Sequence, residues 1–521
     1  MRYLGACWLS TALALAQPQL ELLTVEYLSV SSPPWAPLCH CLPSRVSPHL
    51  LGSFLRLGEG DIVDSAALVE DMLRLQASGL FAQVSYQLDT LTPSALELRW
   101  RVAPRCLHVL APTLFAAPGI LHGGALVQTA QLWGNGERLT LRLSHRQEFS
   151  LGMQLQGDAT LPLGERTQLE LAATWNRLRH QLWLRLGTLP DRLPFRPWSA
   201  GAELSLDQGR LWDFRTESLI PYSRRQHQLR TWLSWGMQRR DQLFLTVSAL
   251  WQRAHTDSGY RRAFDNTALL LLGVGSLAQR YHRLPSPEVQ GDSCTFATGA
   301  WGAVTLALGF PTTGDGERCS YLAGELEQSG ATSRLLLAGR IAAGNAFAQR
   351  LARYTLLETA LRGWLLLPAQ LTLAWEGQQR TIWNWSAYRA ERLDLLADFP
   401  LPFPQKAAEN VLRFRTELRL RGYPLAPELA LGAFLFYHGG TLWNQGTPLA
   451  RTRFRNATGI GAELFAGGVR TPLSALRLEL AYVFSLRRFL PRLQIGIVPP
   501  QRYLHRYRFP EPLGLLMPEL P

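Results

Sequence analysis

Ser144, His145 and Glu148 place a hydroxyl, an imidazole and a carboxylate in one short stretch, the residue types that nucleophilic acyl transfer uses. Nothing in their spacing fixes a relay between them, so the stretch reads as ordinary strand composition and the chain as a non-enzyme. Cys39, His40 and Cys41 would need a further ligand that the sequence does not place, and neither a metal nor a cofactor is expected. Cys294 and Cys319 bracket a glycine-rich segment and are candidates for a disulfide closing it in an oxidising compartment. The remaining chemistry is charge at a spacing of two. Arg413, Arg415, Glu417, Arg419 and Arg421 alternate with Leu412, Phe414, Thr416, Leu418 and Leu420. Later, Arg477 and Glu479 alternate with Leu476, Leu478, Leu480, Tyr482 and Phe484. Period two means strands, each with a charged face and an apolar one.

Two structures satisfy that pattern: a sheet packed on a core, or a barrel wall between lipid and a wet lumen. The chain has 521 residues with 17 Trp, 14 Tyr and 21 Phe, yet its mean hydropathy is near zero. Alternation explains both facts, because each lipid-facing residue is offset by a polar one facing the lumen. No stretch is long and apolar enough for a membrane helix apart from the first residues, where Arg2 precedes an apolar run from Leu4 to Ala16. Residues 1–16 are read as a secretory signal peptide, which would carry Cys7 away. The net charge of +13 comes mostly from arginine. It accompanies neither a reading helix nor an ordered aromatic platform, so nucleic acid is not expected as a partner. In an exported protein, a solvated lumen and anionic lipid headgroups are its expected surroundings.

Read in order, residues 20–104 form a small α+β module. An alternating strand lies near Glu21–Val30, a helix capped by Asp64 runs from Ser65 to about Ser78, and two strands follow. Those two carry Val84, Tyr86 and Leu88, then Leu96, Leu98 and Trp100. Residues 105–122, with Pro112, Pro118 and Gly119, read as a linker. Residues 123–498 alternate almost throughout and give about 16 strands, hence a closed antiparallel membrane barrel. A soluble sandwich or propeller is the competing reading, and no blade-like repeat supports it. Residues 499–521 form a proline-rich tail.

Gly58-Glu59-Gly60-Asp61, Leu68, Leu73, Ser78-Gly79-Leu80-Phe81 and Val84 resemble the polypeptide-transport-associated (POTRA) module of the Omp85 outer-membrane family. Thr416-Glu417-Leu418-Arg419, Phe434 to Gly440, Thr458-Gly459-Ile460-Gly461 and Thr471 to Tyr482 resemble that family's C-terminal barrel, the bacterial surface-antigen domain, with His438 near the family's aspartate. The resemblance implies a mainly β protein with one periplasmic module before an outer-membrane barrel, without catalysis. It also implies an arginine-glycine loop motif, for which Arg362-Gly363 and Arg421-Gly422 are candidates. Either arginine would have to reach an opposing carboxylate such as Glu417 or Glu463 to serve that role.

The function expected is protein translocation, secretion or barrel insertion. An unfolded or extended client would pair with an exposed edge of the module, along Val84, Tyr86 and Leu88 or along Leu96, Leu98 and Trp100. It would then pass a lumen lined by Arg413, Arg415, Glu417, Arg419, Arg421 and Glu463, or pair at an opened seam. Accessory periplasmic proteins or lipoproteins are further possible partners. A passive pore biased toward anions by the same arginines is the alternative.

Overall fold

In a computed structural model of the chain, the described residues are 19–27, 51–383 and 410–496, less some strand connections and turn residues within them. The expected signal peptide, the Cys39–Cys41 stretch, Cys106, the proline-rich Phe399–Pro404 stretch and the tail after residue 496 lie outside the described residues. Among the described residues no helix is long and apolar enough to cross a membrane.

The N-terminal unit contains strand β1 (Gln19–Tyr27), helix α1 (Ser65–Ala77), and strands β2 (Phe81–Thr92) and β3 (Ala95–Pro104). Asp64 starts the helix by accepting the Ala66 amide at 3.0 Å. Leu68 and Leu75, spaced to share one helix face, are buried in a core with Leu20, Leu98 and Trp100. Asp71 is buried on the same helix, where the amides of Arg56 and Leu57 donate to it at 2.9 and 3.2 Å and Arg74 pairs with it at 3.2 Å. Burial pushes its carboxyl above the usual aspartate range, and those hydrogen bonds and Arg74 pull the other way. Gly60, at φ +90°, donates its amide to Leu20 at 2.7 Å, so the Gly58–Asp61 turn ties down the start of β1.

The sheet order is β1-β3-β2, with β1 parallel and β2 antiparallel to β3. This corrects one expected client edge. Leu96, Leu98 and Trp100 lie on the central strand, whose ladder groups are taken on both sides, and Leu98 and Trp100 are fully buried. Alternation places side chains on a face, but only the order of pairing decides which strand ends up at the edge. Val84, Tyr86 and Leu88 lie on β2, which is an edge strand.

The second unit is a closed barrel of 20 antiparallel strands. The first six are β4 (Val109–Ala117), β5 (Ile120–Ala130), β6 (Arg138–Arg146), β7 (Ser150–Leu161), β8 (Thr167–Trp175) and β9 (Arg179–Gly187). Longer strands follow: β10 (Trp198–Trp212), β11 (Pro221–Met237), β12 (Gln242–Thr256), β13 (Thr267–Pro285), β14 (Ser293–Pro311), β15 (Cys319–Ala331), β16 (Leu335–Ala348), β17 (Leu351–Leu366) and β18 (Leu371–Trp383). The last are β19 (Asn410–Ala426), β20 (Leu429–Trp443), β21 (Arg455–Ala466), β22 (Ser474–Val483) and β23 (Arg488–Gly496). The end at which β4 begins is called the entry end below.

The leucine faces point outward, as alternation requires of a lipid-facing wall: Leu270, Val304, Leu306, Leu308, Leu435 and Leu478 are each close to half exposed. Part of the interior is dry. Strands β12–β18 enclose Leu269, Leu271, Tyr321, Leu356 and Ile382, covered by Phe264 from the connection after β12. Nearer the entry end, Leu284, Phe296, Leu336 and Trp364 form a second apolar cluster, with the Phe296 and Trp364 rings 5.8 Å apart. An ion ladder runs through this lobe: Glu325 pairs with Arg340 at 3.1 Å, Arg340 with Glu358 at 3.3 Å, and Glu358 with Arg380.

The strand count departs from the expected 16, and part of the excess comes from the passage read as linker. Residues 109–117 and 120–130 are β4 and β5, so the barrel begins before residue 123. Pro112 is exposed and sits in β4, next to the least paired junction of the wall, where a missing N–H is tolerated. Cys294 and Cys319 do not bridge each other. Cys294 pairs across to Leu284 near the start of β14, whereas Cys319 pairs with Gly309 near its end, so roughly 50 Å of strand separates them, far beyond disulfide reach. Ser144 and His145 are consecutive on β6 and therefore face opposite sides of the wall, and Glu148 lies outside the described residues.

Candidate functional site: the lumen wall of the last strands and the seam

Strands β19 to β23 carry a concentrated set of buried charges. Arg413, Arg415, Glu417, Arg419 and Arg421 share the inward face of β19, as their spacing requires. Glu417, almost fully buried, is the hub. Arg415 and Arg419 flank it on the same strand, and the Arg477 guanidinium donates to it from β22 at 2.6 Å. Arg477 also reaches Glu479 at 2.5 Å and Glu463 at 3.5 Å. Arg492 of β23 continues the set with a 3.2 Å contact to Glu479. Several pairs share these carboxylates, which is how buried charges remain tolerable in a low dielectric.

The reach of Arg477 across two intervening strands depends on what those strands present. Phe434 and Phe436 of β20 face inward directly opposite Gly461 and Gly459 of β21. A Cβ at either glycine would collide with the opposing ring. The bare backbone of β21 therefore lets the rings lie flat, and the Arg477 guanidinium passes over Phe434 at 3.9 Å from the ring centre. His438 stands next on the same face, buried, with its Nε2 4.0 Å from Glu417.

The loop-motif arginines do not perform the expected reach. Arg362 lies 3.9 Å from Glu327 within the dry lobe, and Arg421 bonds to Gln370; neither contacts Glu417 or Glu463. Arg477 makes both contacts instead. Its signal in the sequence was its place among the charged residues opposite Leu476, Leu478 and Leu480, but spacing gives no partner across two strands. Gly363 pairs across to Trp375 in the β17–β18 ladder, and Gly422 sits where β19 loses its register with β20 between Leu420 and Tyr423.

The wall closes where β23 meets β4. Three residue pairs hold this seam: Leu493 with Ala116, Gln494 with Phe115, and Ile495 with Leu114. By contrast β13 and β14 pair along all 19 residues of each. Pro112 lies just before the paired part of β4 and Pro491 just before that of β23, each without an N–H to extend a ladder. Among the described residues no group of His, Cys, Asp and Glu is arranged to hold a metal ion.

No protein-family model matches the chain, and no curated protein sequence does. Among solved structures it is similar to BamA of Haemophilus ducreyi lacking POTRA domains 1–3, at 12% identity over 92% of this chain and 84% of that one, with a TM-score of 0.42. It is also similar to CdiB of Acinetobacter baumannii, at 10% identity over 92% and 74%, TM-score 0.46. A third is the FrpB iron transporter of Neisseria meningitidis, at 10% identity over 91% of each chain, TM-score 0.39. At such identities and scores no role passes from those proteins to this one. The chain itself is a closed 20-strand β-barrel with an apolar outer face, an architecture suited to an outer membrane, preceded by a small mixed module.

Proposed function

We propose that the chain passes extended polypeptide across, or inserts it into, an outer membrane without covalent chemistry. The observation that carries this reading is the seam between β23 and β4, held by three residue pairs where every other junction of the wall has at least eight. A junction held by so few backbone bonds is the cheapest place to part the barrel, and the parted strands would each offer a free edge to an incoming strand. In this reading the N-terminal unit is a POTRA-like module in the periplasm. Its β2 edge, with Val84, Tyr86 and Leu88, catches a client by strand addition. Outer-membrane lipids flank the seam, and accessory periplasmic proteins or lipoproteins deliver clients to the module.

The arginines that would bias a passive pore toward anions have partners. Arg413 donates to Gln378 at 3.0 Å, Arg415 and Arg419 pair with Glu417, and Arg421 bonds to Gln370. Arg415 and Arg419 share the charge of Glu417, which weakens the anion-pore alternative at the middle of β19, whereas Gln378 and Gln370, which Arg413 and Arg421 bond, are neutral amides and offset no charge. The test is depletion of the protein, followed by complementation with the wild type or a Leu493→Cys/Ala116→Cys variant and a census of outer-membrane and secreted proteins. The oxidised variant should fail to restore the missing proteins, and reduction should rescue it. Full complementation by the oxidised, correctly folded variant would sink the seam mechanism; an unchanged census on depletion would sink the transport reading.

A further inference from the structure

The turn after β13 does something a short hairpin turn does not need to do. Instead of lying over its own two strands, it reaches β19, with β14–β18 intervening along the wall, and pairs there in parallel through Val289 and Gly422. The Gly422 amide donates to the Glu288 carbonyl at 2.6 Å, and the Gln290 amide donates to the Gly422 carbonyl at 3.1 Å. Both ends of the contact are prepared. On β19 the register with β20 breaks between Leu420 and Tyr423, which turns the Gly422 backbone groups away from the wall's own ladder. On the turn, the Ser286 hydroxyl accepts the amides of Glu288 and Val289, each at 3.2 Å, and Ser286 and Val289 are buried. The Glu288 carboxylate lies 3.8 Å from Arg419, joining the turn to the charged set around Glu417.

We propose that Ser286–Gln290 is a strap that gates the entry end of the barrel. Fastened, it cuts a chord across the mouth from the end of β13 to the end of β19. Its fastening is light: two backbone bonds, the Glu288–Arg419 pair, and a 3.3 Å bond from the Gln290 side chain to the Arg421 carbonyl. The hairpin that carries it is laddered throughout. The strap therefore releases without unzipping the wall, a two-state element whose open form has a wider mouth. The loop-motif candidate Arg421-Gly422 thus acquires a role as the strap's receptor. The inference rests on the barrel alone and needs no client.

Val289 and Gly422 are register partners in a parallel pair, which puts their Cα atoms about 5 Å apart, within disulfide range. The test uses the full-length protein in planar lipid bilayers, with Val289→Cys/Gly422→Cys before and after oxidation and Val289→Cys alone as control for the native cysteines. A second variant, Glu288→Lys, sets like charges against each other at Arg419 without adding a cysteine. Oxidation should cut the time spent in large-conductance openings about tenfold relative to the reduced form, and Glu288→Lys should raise it about tenfold over wild type. Two results overturn the strap. One is equal conductance of the oxidised, reduced and Glu288→Lys proteins. The other is failure of the disulfide to form in a barrel that keeps its heat-modifiable migration. Because conductance is read without a client, either result leaves polypeptide passage to be decided by the census above.

Discussion

The two sides of the barrel are built differently. On the β10–β20 side strands run up to 19 residues, the interior of β12–β18 is dry, and each pair is laddered over most of its length. On the side holding the seam, β4, β6, β8, β9 and β23 have nine residues each. Nine residues are about 30 Å of chain, which at the roughly 45° tilt of a barrel strand rises about 21 Å, slightly less than an apolar band of about 25 Å. One side is a tall wall packed inside, and the other is a short wall whose junction has three residue pairs. The contrast teaches that if the wall parts as proposed, the short side with its three-pair junction is where it parts, while the tall side holds the shape.

Substitutions separate the two sides. Trp364→Ala empties a buried indole site in the dry lobe and should cost about 4 kcal/mol, read as a lower urea midpoint in detergent with the seam-lock phenotype unchanged. Arg477→Met leaves Glu417, Glu463 and Glu479 without their common partner and should cost about 3 kcal/mol. If the charged set steadies the strands leading to the seam, this variant should also raise hydrogen exchange in β22 and β23 while sparing β13 and β14; uniform exchange across the barrel would erase the distinction. Gly461→Ala pushes Phe434 off β21 and should cost about 2 kcal/mol, with Gly461→Ser no better because the Cβ is the obstacle.

The smallest effect lies in the N-terminal unit. The folded-state pKa of Asp71 is raised by burial, so the folded form binds this proton more readily than the unfolded chain does. Its contribution to stability is fully present below the ordinary aspartate pKa and is lost as pH rises through the raised value. Hydrogen-exchange protection of helix α1 should therefore grow as pH falls through that window, and Asp71→Asn should flatten the trend. A slope of the same size in the variant would assign it to other groups.

Much of this was legible beforehand. Asp64 capped the helix as expected, Val84 and Leu98 fell on the two strands assigned to them, and the alternating stretch around Glu417 is a strand, β19. Contacts between distant strands were not. The reach of Arg477 to Glu417 requires Phe434 to lie flat on Gly461, a condition written in four separate strands. The expected disulfide failed because proximity in a glycine-rich segment says nothing about which ends of long strands adjoin. The missed strand β4 hid behind Pro112, which argues against a strand except beside a poorly paired edge.

By itself the sequence determined which face of the alternating strands, β19 and β22 among them, is apolar, since a period of two admits only one apolar face, and it determined the helix and its cap, which are settled within a few residues. The tertiary structure alone decided that β3 is central, that three pairs close the wall and that a turn crosses to Gly422. Those outcomes depend on backbone groups whose partners lie tens to hundreds of residues away, and a backbone N–H looks the same in every residue but proline.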